Sequence, residues 1–192
     1  MALILASSSP RRKQLLEMAD LSFRIITKET DETFDPALEL NAAVADVAKR
    51  KGYAITDQVT AEDIIIAADT IVVLEDRVIG KPETREAAID ILTRLQGATH
   101  YVITGVALLK GKEEVVFSER TEVLFHPLTP QQITYYVDKY QPFDKAGAYA
   151  IQEWIGVTGI KRIQGDFYNV MGLPVSRVLQ EIRTLGYRSD KD

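Results

Sequence analysis

Cysteine is absent from the 192 residues, which removes a disulfide framework, a thiolate metal site and a cysteine nucleophile together. Histidine is scarce. The chain has two, His100 and His126, each beside an expected strand with no acid or nucleophile at a matching spacing, so both read as structural or exposed. No apolar run approaches the ~20 residues of a membrane span, and the start of the chain lacks the basic and apolar regions of a signal peptide. Positive charge is in the minority, with 23 Lys and Arg against 28 Asp and Glu and a net charge of -5. That balance argues against a protein that grips long polyanions, and no stripe interleaves aromatic with basic residues. These absences predict a cytoplasmic protein with no nucleic-acid and no membrane partner, whose basic sites are local.

At 46% apolar and 27% charged content, the chain is long enough to bury the core of one domain over residues 1–192, arranged as two lobes. Period and punctuation predict a buried strand at Leu3 to Ala6, a helix from Pro10 to about Ala19 and a strand near Phe23 to Thr27. The acidic loop "KETDETFDP" follows, then a helix from near Pro36 that should end with Gly52 as its glycine cap. "DIIIAADTIVVLEDRVIGKP" reads as a strand, a polar break at Asp69 and Thr70, and a second run that turns back at Glu75 and Asp76. A helix stopped by Gly97, a long hairpin turning at a Gly/Lys pair, and a helix with Thr129 as N-cap and Pro130 at its first position come next. Glycine-rich turns lead to a last helix from about Pro174 to Leu185 and a tail, "RSDKD", expected to fray. Helices alternating with strands, then a hairpin, predict an α/β fold with a central mixed sheet flanked by helices.

Chemistry concentrates in a few places. "SSSPRRK", Ser7 to Lys13, lies between a strand and a helix and puts Arg11, Arg12 and Lys13 where a first turn favours acids. Ser9 is a good N-cap and Pro10 suits the first helical position. The cations are either solvated or hold an anion, together with the N–H groups of the helix start. The stretch is no Walker loop, since the glycines and the Gly-Lys-Ser/Thr ending are missing, and Ser7 to Ser9 lack the nucleophile elbow of a serine hydrolase. Asp69, after the apolar run "IIIAA", is either a turn cap or a carboxylate held at a strand end, where α/β sheets collect ligands. Glu29, Asp31 and Glu32 are either a solvated loop or a source of a second carboxylate. One carboxylate from each segment suits Mg2+ or Mn2+, completed by substrate phosphates. Lys81 in "IGKP" and Lys49 near a helix end are surface lysines or phosphate partners. Cations and carboxylates without thiol or histidine chemistry point to metal-assisted phosphate chemistry.

Taken in order, "LASSSPRR", "TDET", "AADTIVV", "GKP", "LQGATHYVITGVAL", "DKAGAYAIQ" and "GDFYNVMGLP" resemble the Maf family of nucleoside triphosphate pyrophosphatases from about Leu3 to Leu185. The resemblance implies an extended sheet with a cleft between two lobes, similar to the Ham1-like inosine triphosphate pyrophosphatases. It also implies a homodimer, a divalent metal, Mg2+ or Mn2+, and hydrolysis of a nucleoside triphosphate to monophosphate and diphosphate. By the same resemblance Asp69 is the general base and a metal ligand, Glu32 its partner at the metal, and Arg11, Arg12, Lys49 and Lys81 bind phosphate beside Ser7. Lys81 also joins in catalysis. Arg11, Thr70 and Gln152 stand at the positions that sort substrates, in the combination of the dTTP/UTP branch rather than the 7-methyl-GTP branch. "IQEWIG" departs from the family pattern after the glutamine, and "AYA" replaces the commoner "AYG", so Glu153 and Trp154 bear on the base pocket. The alternative is a nucleotide-binding regulator of cell division without catalysis. No glycine-led helix carries the glutamate cluster of a Nudix hydrolase.

Overall fold

Leu3, Ile4 and Leu5 are almost wholly buried because parallel strands lie on both sides of them, the setting in which a strand reads as an unbroken apolar run. These residues form β1 (Leu3–Leu5). In register, Leu3 lies opposite Phe23 of β2 (Phe23–Ile25) and opposite Ile64 of β3 (Ile64–Leu74). The computed structural model describes residues 1–188, so all of the tail expected to fray except Arg188 lies outside the described residues. Among the described residues the sheet order is β2, β1, β3, then β5 (Thr99–Lys110), β6 (Glu113–Phe125) and β7 (Ile160–Gln164), with β4 (Arg77–Ile79) antiparallel to β3. β5 and β6 form the expected hairpin through Gly111 and Lys112, and β7 pairs antiparallel with β6. The mixed sheet flanked by helices is therefore as the sequence predicts. No helix among the described residues is long and apolar enough to cross a membrane.

The chain divides into two compact units. The first holds Met1–Asp69, Thr104–Glu119 and the chain from Gly172 on. Its helices are α1 (Pro10–Met18), α2 (Leu40–Tyr53) and α7 (Val175–Thr184). Ile4, Ile65, Ala67 and Leu109 share its core with Ile55. Gly105 of β5 faces the α2 backbone so closely that a Cβ there would stand 2.4 Å from the Val44 carbonyl; that contact sets the depth of α2.

The second unit holds Thr70–Ile103 and Arg120–Met171. Its helices are α3 (Arg85–Leu95), α4 (Pro130–Tyr140), α5 (Trp154–Gly159) and α6 (Phe167–Met171). α3 packs on α4. Thr129 caps α4 as expected, in a reciprocal capping box with Gln132. His100 is fully buried, with its Nε2 2.8 Å from the Tyr149 hydroxyl and its ring edge-on to Phe125. Burial pulls this imidazole down to about 4, so it is neutral at physiological pH, and His126 is exposed.

Three sequence expectations change. β3 runs unbroken through Asp69 and Thr70, with no turn there, because backbone pairing with neighbouring strands carries a polar pair that local propensity reads as a break. Gly52 does not end α2. The helix continues to Tyr53, and a Cβ on Gly52 would meet Leu109 Cδ1 at 2.8 Å, so its small size serves packing. That helix also starts at Leu40 rather than near Pro36, where Asp35 turns the chain by accepting the Ala37 N–H at 2.9 Å. α5, α6 and β7 were not anticipated. They are short, and β7 is a half-exposed edge carrying Lys161 and Arg162.

Candidate active site

Helix α1 buries the face made by Arg12, Leu15 and Leu16, an i, i+3, i+4 stripe. One of the three cations of "SSSPRRK" is thereby turned inward. Arg12 keeps only 8% of its surface exposed. Its Nε donates to the Gly172 carbonyl at 2.9 Å and its Nη1 to Ser7 Oγ at 3.0 Å. The solvated reading holds for Lys13, which pairs with Glu17 on the surface at 3.3 Å. Pro10 opens the helix as expected, but the Ser9 side chain caps nothing. Ser7 Oγ instead accepts the Ser9 N–H at 3.3 Å.

Asp69 lies within β3, not at its end, and its side chain is 14% exposed. Glu32 comes from the acidic loop. Both reach one ammonium, that of Lys51 on α2, whose Nζ stands 2.7 Å from Glu32 Oε1 and 2.7 Å from Asp69 Oδ1. The two carboxylate oxygens therefore lie no farther apart than twice that contact. Arg12 faces the same acids. Burial pulls its guanidinium down to about 10, opposed chiefly by Asp69 and also by Glu32, while Arg11 adds to the lowering. Arg12 thus stays protonated at neutral pH, under the electrostatic influence of both acids, which belong to the same compact unit.

The loop that presents Glu32 is held from α2 as well. Arg50 Nη2 donates to the Thr33 carbonyl at 2.6 Å and Nη1 to the Asp31 carbonyl, so one guanidinium grips the backbone on both sides of Glu32. Asp46 braces Arg50 one turn back at 2.9 Å. Asp31 accepts from the Thr33 hydroxyl and N–H, which holds its carboxyl below the usual range. Asp31 therefore shapes the loop, and Glu32 alone of the "DE" pair points to Lys51.

Lys49 lies elsewhere on α2. It pairs with Glu114 at 3.0 Å beside Tyr53, whereas Lys51 occupies the place between the carboxylates. The signal for Lys51 was in the sequence: it follows Val47 and Ala48 by four and three positions, on the buried stripe of the helix. Of the remaining expected residues, Arg11 is half-buried on α1, and Thr70, Lys81 and Gln152 belong to the second unit. Lys81 is exposed beside Gly80, whose carbonyl accepts the Gly147 N–H at 3.2 Å. Gln152 is exposed after buried Ile151. Among the described residues no group of three or more His, Cys, Asp or Glu side chains is gathered as for a metal. Glu32 and Asp69 are a pair of hard oxygen donors, which suits a cation that takes its other ligands from water and phosphate.

The sequence is 49% identical over 183 residues to a protein named dTTP/UTP pyrophosphatase from Cytophaga hutchinsonii, covering 95% of this chain and 84% of that one. It is 45% identical to the protein of the same name from a Geobacillus species, covering 96% and 98% of the two chains. The one from Bacteroides thetaiotaomicron is 43% identical, with 95% of each chain covered. Among solved structures, the Ham1 protein of Staphylococcus aureus aligns with a TM-score of 0.42 and 15% identity, over 65% of this chain and 72% of that one. The sequence model described as Maf-like protein matches residues 2–185, and the chain belongs to that family.

Proposed function

We propose that this protein is a nucleoside triphosphate pyrophosphatase that hydrolyses dTTP and UTP to the monophosphate and diphosphate. The observation that carries the reading is the convergence of Glu32 and Asp69 on Lys51, 2.7 Å from each, with buried Arg12 facing the same acids. The names of relatives 43 to 49% identical over nearly the whole chain support the same activity. Arg12 and Lys51 balance Glu32 and Asp69, so the cluster by itself is neutral. A triphosphate adds several negative charges, and its binding therefore calls for further positive charge.

A divalent cation, Mg2+ or Mn2+, fits that need, and Glu32 and Asp69 are the side chains that would hold it. When bound it would neutralise phosphate charge and polarise the reacting phosphoryl group. The remaining work falls to the chain. Arg12, Arg11 and the N–H groups at the start of α1 hold phosphate oxygens. Ser7 Oγ already accepts from Arg12 and from the Ser9 N–H, so its own proton is the one to give to a phosphate. Asp69 takes a proton from water as the water oxygen bonds to the α phosphorus. The bond from that phosphorus to the α–β bridging oxygen breaks, and diphosphate leaves with the electron pair. Lys51 stabilises the leaving charge, and Lys81 is a further phosphate partner; Lys49, paired with Glu114, has a weaker claim to that role. Thr70 and Gln152 select the base, since a hydroxyl and an amide can pair with a pyrimidine edge. The working form is a cytoplasmic homodimer, and it has no nucleic-acid partner.

The test is a panel of dTTP, UTP, CTP, GTP, ATP and 7-methyl-GTP, assayed for diphosphate with Mg2+, with Mn2+ and with chelator. The expected result is diphosphate from dTTP and UTP in the presence of metal only. Nucleotide binding without diphosphate release would leave the regulatory alternative, and preference for 7-methyl-GTP would place the protein in the other branch.

A further inference from the structure

One phenol ties down both ends of the segment that carries Gln152. Tyr136 of α4 is fully buried. Its oxygen accepts the Ala150 N–H at 3.1 Å, and its hydroxyl donates to Glu153 Oε2. A phenol has one proton, and the Ala150 N–H can only donate, so the partner that takes the Tyr136 proton must be an acceptor. Glu153 supplies it. Ala150 and Glu153 flank Ile151 and Gln152, and the Glu153 N–H closes the same turn onto the Ala150 carbonyl at 3.1 Å.

The other oxygen of Glu153 faces Lys145, whose side chain is 10% exposed and whose Nζ stands 3.5 Å away, with Asp144 at 2.8 Å. A glutamine at 153 could accept from one of these two donors but would turn an N–H2 group toward the other. The turn is also pressed from α5. A Cβ on Gly156 would lie 1.7 Å from the Ile151 carbonyl oxygen, so only glycine fits. The consequence is a turn in which Tyr149, Ala150 and Ile151 are buried and Gln152 emerges from a fixed base.

We propose that Glu153 is a positioning residue for nucleobase selection: through Tyr136 and Lys145 it sets the direction of the Gln152 amide and so the pyrimidine edge that the protein accepts. The inference rests on the reading of Gln152 as the base-selecting residue. It assigns Glu153 no contact with substrate.

The experiment measures kcat and KM for UTP and CTP with metal, together with the melting temperature, for wild type, Glu153→Gln, Tyr136→Phe, Gln152→Ala and the double variant Gln152→Ala/Glu153→Gln. Glu153→Gln is expected to lower the UTP:CTP ratio of kcat/KM by about tenfold, through the KM for UTP, with kcat held within about twofold. Tyr136→Phe, which leaves both charges in place, should lower the ratio in the same way. In the double variant, Glu153→Gln should add nothing to the loss caused by Gln152→Ala, because the two act through one contact. A wild-type ratio in both Glu153→Gln and Tyr136→Phe, while Gln152→Ala loses it, overturns the inference alone. So does a parallel fall for both nucleotides that tracks the melting temperature, or an additive loss in the double variant. A wild-type ratio in Gln152→Ala overturns the base-selecting role of Gln152, and the inference with it.

Discussion

Replacing Lys51 by Met tests the geometry of the cluster without touching either acid. The substitution keeps most of the side chain's volume and removes the ammonium that stands 2.7 Å from Glu32 and from Asp69. The repulsion of two carboxylates whose oxygens lie within twice the 2.7 Å contact of each other is then no longer offset, and it amounts to ~1–3 kcal/mol for an effective dielectric between ~80 and ~20. Glu32 is 56% exposed and Asp69 14%, so solvent screens one partner, and Arg12 still faces both. These features favour the lower half of that range. In urea at pH 7 with chelator, the unfolding midpoint should drop by roughly 0.5–1 M, for a slope of ~2 kcal/mol per M. Mn2+ should restore more stability to the variant than it adds to wild type, because the ion then supplies the positive charge that the lysine no longer gives. Diphosphate release from UTP should fall by about a hundredfold or more, as expected when a donor to the developing charge is lost. A variant as stable as wild type in chelator and indifferent to Mn2+ would refute the reasoning, since the acids would then not depend on Lys51.

Three further outcomes follow from the same contacts. His100 binds its proton more weakly in the fold, at about 4 against the ordinary 6.5, so the unfolded chain holds more protons between those values. Stability therefore rises with pH through that window and is lost as pH falls toward 4, by on the order of 3 kcal/mol. His100→Gln should flatten that slope in pH-dependent unfolding, and an unchanged slope would assign it to other groups. Gly156→Ala sets a Cβ against the Ile151 carbonyl and should cost ~3 kcal/mol in urea unfolding, at the upper end for overpacking; a loss within ~0.5 kcal/mol would show that the turn yields. Arg50→Gln removes the grip on the carbonyls of Asp31 and Thr33, and should weaken metal dependence by raising the Mn2+ concentration for half activity several-fold, measured by titration, with the nucleotide preference unchanged.

Much of the fold could be read from local signals, and the exceptions share a cause. α3 and α4 announce themselves by period and punctuation, Thr84 and Thr129 capping their starts. β1 was legible because a strand paired on both sides carries no polar residue. β3 was not, because Asp69 and Thr70 interrupt its apolar run and only the neighbouring strands keep the backbone extended there. Gly52 looked like a cap because glycine's commonest use near a helix end is conformational, whereas its neighbour Leu109 is distant in sequence. In the site, Asp69 stands out as a charge that follows an apolar run, whereas Glu32 was set apart from Glu29 and Asp31 only by the resemblance to the Maf family, and the inward turn of Arg12 rather than Lys13 needed the phase of α1. Choosing between Lys49 and Lys51 required the phase of α2, which the Val44, Val47 and Ala48 stripe carries. The grip of Arg50 on the loop, and that of Tyr136 on its turn, join side chain to backbone across many residues, and no local pattern encodes such contacts.

The central claim is that Asp69 accepts the proton of the attacking water in a cluster built to hold a triphosphate. Its most direct test is Asp69→Asn, with diphosphate release from UTP measured in Mg2+ and nucleotide binding measured by calorimetry on the same preparation. The account predicts turnover lower by about a thousandfold or more while UTP binds within several-fold of wild type; turnover above about a tenth of wild type, with binding intact, would contradict it.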